Sequence, residues 1–165
     1  MKIIIKPKII NKKNFNKFGQ IIDTSKKTYF RINNGYAKRY DNLGKINTST
    51  KKGKTIVSIF SAKKRLFPMK IDMMENHPLG SQAFVPMNET KFLVFVAPKG
   101  KKPDTKKIKS FIVPKQTGIN YKPGIWHFPL ISTKNMHFLV IDRKGIGNNL
   151  VIYKFKNEKI SLKNK

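Results

Sequence analysis

The chain has 165 residues, with 36 Lys and Arg against eight Asp and Glu, a formal net charge of +28 and no cysteine. Disulfides, thiolate metal ligands and a cysteine nucleophile are excluded, and an aromatic share of 11% with twelve Phe is too high for a disordered basic tail, which lacks the apolar surface to offset chain entropy. No run approaches the roughly 18 apolar residues of a membrane helix and no signal peptide is read over residues 1–10, so a soluble, cytoplasmic protein with one real core is expected.

Residues 10–22 read as a short helix, with Phe15, Phe18 and Ile22 on one face, Asn11 or Asn14 as the cap and Gly19 near the end. Residues 29–32 read as a strand, Asn33-Asn34-Gly35 as a turn signal, and 36–43 carry Arg39 among aromatic residues. Residues 45–54, rich in Thr, Lys, Asn and Gly, read as a loop. Segments 55–60, 67–74, 82–86 and 92–97 are short, β-branched or aromatic, and separated by Gly, Pro or polar residues, which is the pattern of antiparallel β structure. Pro103-Asp104-Thr105 starts a second short helix over Ile108, Phe111 and Ile112. Strands resume at 118–127, 136–142 and 150–155, and the polar tail 156–165 is expected to fray. With no internal repeat or linker, the expectation is one domain over 1–155, mainly β, a sandwich or barrel with two short helices.

The charge invites a nucleic-acid reading, because cations that neutralise phosphates release counterions. Yet only Arg31, Arg39, Arg65 and Arg143 are arginines, whereas phosphate and base readers favour the bidentate fork of Arg. Abundant Lys, Ile and Asn together match the codon usage of an AT-rich genome. The lysines therefore read as a solvated surface, and nucleic acid is not the expected partner.

Chemistry-bearing residues concentrate in three segments, 74–84, 124–130 and 142–149. In a chain so poor in carboxylates, Glu75 and Asp142 stand out. Each feature also has a plain structural reading. Glu75 and His77 fit a surface turn before Pro78, Trp126 and His127 a core aromatic beside a satisfied histidine, and Asp142-Arg143 a turn with a local ion pair. His137, inside a strand pattern, reads as structural.

Taken in order, the run His77-Pro78-Leu79-Gly80-Ser81-Gln82-Ala83-Phe84, the segment Gly124-Ile125-Trp126-His127-Phe128-Pro129 and Asp142-Arg143 closely resemble the ureidoglycolate lyase family. Asn33-Asn34-Gly35-Tyr36-Ala37, Phe92-Leu93-Val94, Asn120-Tyr121 and Phe138-Leu139-Val140 extend the resemblance over most of 1–155. It implies a cupin-like antiparallel β-barrel of jelly-roll type, often dimeric, that cleaves (S)-ureidoglycolate to glyoxylate and urea in allantoin (purine) catabolism. The chain departs from the family at Lys38, where relatives commonly carry an acidic residue, and at Phe128, where many carry a second His. The usual cupin metal signature is also absent; Glu75-x-His77 is its nearest analogue. A divalent ion on His77, Gln82 or Glu75, and His127 is a candidate cofactor, and the resemblance suggests nickel.

For this reaction His77 and His127 are the acid and base candidates, because imidazole titrates near neutrality, with Glu75 or Asp142 orienting one of them. Arg65 or Arg143 is expected to grip the substrate carboxylate, Ser81 and Gln82 to hold the glyoxylate oxygens, and Trp126 to wall the pocket. A homodimer is expected as well, since small β-barrels leave edges that need covering. Two readings compete with the lyase: a non-catalytic or sugar-modifying cupin, and a basic nucleic-acid-binding β-barrel.

Overall fold

A computed structural model describes residues 2–25 and 28–163. Its strands begin with β1 (Lys2–Ile5), β2 (Lys8–Ile9), β3 (Gly19–Ile22), β4 (Phe30–Ile32), β5 (Ala37–Arg39) and β6 (Lys54–Ala62). The middle of the chain supplies β7 (Met69–Ile71), β8 (Met73–Asn76), β9 (Gln82–Pro86), β10 (Phe92–Ala97), β11 (Lys109–Val113) and β12 (Gly118–Tyr121). The series closes with β13 (Trp126–His127), β14 (Ile131–Ser132), β15 (Met136–Lys144), β16 (Val151–Lys154) and β17 (Lys159–Leu162). One α-helix, α1 (Lys12–Phe15), and 3-10 turns at Asn33–Gly35, Thr50–Lys52 and Thr105–Lys107 complete it.

A five-stranded sheet, β3-β12-β9-β15-β6, faces a seven-stranded sheet, β16-β8-β13-β10-β11-β2, in which β14 also pairs with β10. The alternation of side chains along a strand sets both cores. β10 is apolar at every position, so Phe92, Val94 and Val96 enter the core between the two large sheets while Leu93, Phe95 and Ala97 enter a second core on the other face. Across the first core the Phe92 and Phe138 rings meet edge to face with centroids 5.0 Å apart. The second core is closed by the three-stranded sheet β1-β17-β7, which contributes Ile71, Ile160 and Leu162. Among the described residues β4 and β5 pair only with each other.

The mainly β expectation holds, with several sheets. The two expected helices do not. Asn11 and Asn14 cap reciprocally, each side chain accepting from the other's backbone N–H at 2.9 Å, but the helix ends at Phe15 and the chain becomes β3. The reason is tertiary: a Cβ on Gly19 would collide with the carbonyl of Asn120, so only glycine allows β3 to approach β12 this closely. The second helix shrinks to the 3-10 turn at Thr105–Lys107, capped by Asp104. Phe111 then faces the first core and Ile112 packs on the second, as strand parity requires. Residues 159–162, within the tail expected to fray, form β17 parallel to β1, with Ile160 and Leu162 buried. Pairing is also parallel between β11 and β2, and among the described residues the hydrogen-bonded strand orders run as separate open sheets rather than one closed barrel. None of the described helices is long and apolar enough to cross a membrane.

Candidate active site

The site grows from two neighbouring strands. β8 carries Glu75 and delivers His77 just past its end, and β13 pairs antiparallel with β8 so that His127 stands opposite Glu75. His127 Nε2 lies 3.6 Å from Glu75 Oε1, and the His77 and His127 ring centroids are 5.2 Å apart. One ligand atom from each of Glu75, His77 and His127 falls within 4.8 Å of the others. Tyr121 stacks on His127 at 4.5 Å and 18°, fixing the ring plane from the other side.

Hydrogen bonds settle the tautomers. His77 Nδ1 is 2.7 Å from the Asn149 carbonyl and His127 Nδ1 is 3.0 Å from the Ile125 carbonyl. A carbonyl oxygen only accepts, so each Nδ1 carries the hydrogen and each neutral imidazole keeps its lone pair on Nε2. Among the described residues both Nε2 atoms are buried without a hydrogen-bond partner, as is Gln82 Oε1. Burial pushes His127 down to about 3, with the His77 charge acting in the same direction and the Ile125 carbonyl opposing. Burial raises Glu75 above the usual carboxylate range, partly offset by His77. His127 is therefore neutral at neutral pH, a donor of electron pairs rather than of charge.

A cavity of about 560 Å³ opens beside these groups between the two large sheets, lined by Arg65, Glu75, Gln82, Tyr121, His127 and Phe128 among others. This is the size range of small-molecule sites. Arg65 holds its guanidinium 5.9 Å from the Phe128 ring, and its backbone N–H donates to the Ser132 carbonyl at 2.9 Å.

Several residues expected at the site are placed elsewhere. Trp126 is adjacent to His127 on β13 and so faces the opposite way, into the second core, where its Nε1 donates to the Gly100 carbonyl at 3.0 Å. It does not wall the cavity. Arg143 is buried and donates to the Thr50 and Ile146 carbonyls, away from the cavity lining. The Ser81 hydroxyl is engaged with Asn47, accepting from its N–H at 2.8 Å. Asp142 meets neither histidine; its Oδ2 accepts from Gln82 Nε2 at 3.3 Å, so it orients Gln82. His137 is exposed on β15, outside the site. Of the two alternatives expected beside the histidines, Gln82 or Glu75, Glu75 forms a metal-capable trio with His77 and His127. Tyr121, which stacks on His127 and lines the cavity, is a site residue that sequence reasoning gave no role; its signal was its position three residues before Gly124, at the end of the strand that precedes His127.

The family model for ureidoglycolate lyase matches residues 2–163. The chain belongs to the ureidoglycolate lyase family. Relatives named ureidoglycolate lyase include one from Pseudomonas aeruginosa, 44% identical over 141 residues, covering 85% of this chain and 83% of the relative. A second, from Pseudomonas syringae pv. syringae, is 42% identical over 149 residues, covering 90% and 86% respectively. A third, from Azotobacter vinelandii, is 43% identical over 141 residues with 85% coverage of each. Membership in the ureidoglycolate lyase family makes the chain a carbon–nitrogen lyase of purine degradation.

Proposed function

We propose that the cavity beside Glu75 and His127 cleaves (S)-ureidoglycolate to glyoxylate and urea, and the observation that carries this reading is the cluster of Glu75, His77 and His127 at the edge of a small cavity that Glu75, His127 and Arg65 line. Ureidoglycolate is a carbinolamide, one carbon bearing a hydroxyl, a carboxylate and a urea nitrogen. Its cleavage removes the hydroxyl proton, makes that C–O bond a carbonyl, breaks the C–N bond with the pair going to nitrogen, and protonates the departing nitrogen. No water is consumed. Glu75 lines the cavity and has a carboxyl of raised proton affinity, so its carboxylate takes the hydroxyl proton and returns it to the urea nitrogen. Arg65 pairs with the substrate carboxylate. Gln82, held by Asp142, supplies its free Oε1 to the urea N–H groups.

Two imidazole nitrogens and a carboxylate, with buried unpartnered Nε2 atoms, fit a divalent ion. Glu75, His77 and His127 would hold it, and nickel is the ion proposed. When bound, such an ion supplies Lewis acidity toward a substrate oxygen. The two facing sheets are taken as the walls of a cupin-like barrel. Two copies are proposed to pair through β6, a nine-residue strand that pairs with β15 on one side and, among the described residues, is open on the other, and on which Val57 is 66% and Ile59 54% exposed.

The test follows urea and glyoxylate released from ureidoglycolate. Glu75→Gln and His127→Gln should each lower kcat/KM by about 10² to 10⁴ while retaining the wild-type circular dichroism spectrum; near wild-type turnover in either removes that residue from the mechanism. In protein stripped by a chelator, added nickel should raise Tm for wild type and leave Glu75→Gln unmoved.

A further inference from the structure

We propose that Arg143 and Asn149 form a latch that fixes the pose and tautomer of His77, so that Arg143 is a positioning residue of the site and not a ligand of the substrate; this rests on the reading of the site given above. His77 lies beyond the end of β8, so no strand pairing holds its ring. Asn149 does so instead, at two points. Its carbonyl accepts from His77 Nδ1 at 2.7 Å and its side-chain Oδ1 accepts from the Leu79 N–H at 2.8 Å. One residue thereby grips both the ring and the turn that follows it, and holds the ring beside His127 and Glu75.

Asn149 itself belongs to the irregular segment between β15 and β16, which turns on Gly145 and Gly147, the latter at φ +89. Arg143 anchors that segment: its Nη2 donates to the Ile146 carbonyl at 2.8 Å. The same guanidinium donates to the Thr50 carbonyl through Nε at 3.0 Å and Nη2 at 2.7 Å, tying the segment to the loop before β6. Three glycines make room for it. A Cβ on Gly53 would collide with Nε, one on Gly80 would lie 2.7 Å from the Arg143 Cβ, and one on Gly145 would lie 3.2 Å from Nη2. Arg143 is only 6% exposed and, among the described residues, no carboxylate forms a salt bridge with it. A cation buried on backbone carbonyls holds chain segments in place; a lysine keeps its charge but cannot fork. Groups that orient a histidine in this way typically change affinity or activity about 10- to 100-fold when lost.

The test uses ¹⁵N-histidine-labelled, metal-free protein, in which only three His must be assigned. Long-range ¹⁵N–¹H correlation spectra report which ring nitrogen carries the hydrogen. Wild type should show His77 as the Nδ1–H tautomer; Arg143→Lys, which frees the segment, and Asn149→Ala, which keeps the backbone carbonyl but loses the Oδ1 bond that holds it against the Leu79 turn, should each show a mixture. In parallel, kcat with ureidoglycolate should fall about tenfold or more in each variant, with KM within about twofold of wild type. An unchanged His77 tautomer in both variants overturns the latch. So does a loss expressed in KM at constant kcat, because that is how a substrate ligand behaves. If a thermal melt finds Arg143→Lys unfolded, Asn149→Ala decides alone, since Asn149 is only half-buried. Tautomer shifts in the two variants, with a wild type that does not turn over ureidoglycolate, would support the latch while removing the proposed reaction.

Discussion

Arg65 and His127 carry the sharpest expectations for single residues. Lys63, Lys64 and Arg65 all line the cavity, so proximity alone does not separate them. What does is geometry: a planar guanidinium grips both oxygens of a carboxylate where an ammonium offers a point contact, and the Arg65 backbone is pinned to Ser132. Arg65→Lys should cost about 2 kcal/mol in transition-state stabilisation, roughly thirtyfold in kcat/KM. Lys63→Ala and Lys64→Ala should stay close to wild type; a silent Arg65→Lys would leave the Phe128 contact as the whole role of Arg65. His127 makes a stability prediction. Its pKa in the folded chain, about 3, lies below the ordinary value of 6.5. As pH falls from 6.5 toward 3 the unfolded chain takes up this proton and the folded chain does not, so stability falls over that window and is unaffected by this group above it. Metal-free wild type should therefore lose Tm on acidification more steeply than His127→Gln, and parallel slopes in a melt series would contradict it. Sequence gave both residues as candidates, because Arg is rare here and His127 sits in a recognisable segment, but it could not say that one His is buried and neutral.

At the scale of elements, β17 is the instructive case. The segment Lys159-Ile160-Ser161-Leu162 alternates apolar and polar residues, which is a strand pattern too short to stand out in a polar tail. Pairing with β1 on one side and β7 on the other buries both apolar residues, Ile160 at 1% and Leu162 at 0% exposure. Leu162→Ala should cost about 2 to 5 kcal/mol, read as a fall in Tm with activity retained below the melt; an unchanged Tm would mean the strand is dispensable. α1 shows the converse error. Phe15, Phe18 and Ile22 have helical spacing, yet Phe15 and Phe18 are buried by a helix end and a turn, and Gly19 commits the next residues to β12.

For the whole molecule, the β6 edge and the face it shares with Leu139 and Ile141 make the proposed dimer testable. The middle of β6 carries no charge, although each copy carries a net +28, so repulsion between copies should be felt at low salt and fade as salt screens it. Light scattering should give a dimer mass at micromolar concentration in moderate salt and a monomer for Ile59→Asp, whose side chain is exposed and so not needed for folding. A wild-type monomer under those conditions would count against pairing.

Composition and short-range pattern determined the β class, the lysine-coated surface and the segments that hold Glu75, His77 and His127, because these depend on residue type and on neighbours in sequence. The family resemblance was legible for the same reason, being carried by contiguous runs. Which side chains share the cavity was decided by the tertiary structure alone. Adjacent residues on a strand face opposite ways and a register shift of one would exchange them, so Trp126 and His127 part company on β13 while Asp142 finds Gln82 across β15 and β9. Arg143 went to the loops for a reason no local pattern contains: its partners, Thr50 and Ile146, are brought to it by the pairing of β15 with β6 and by the turn after β15.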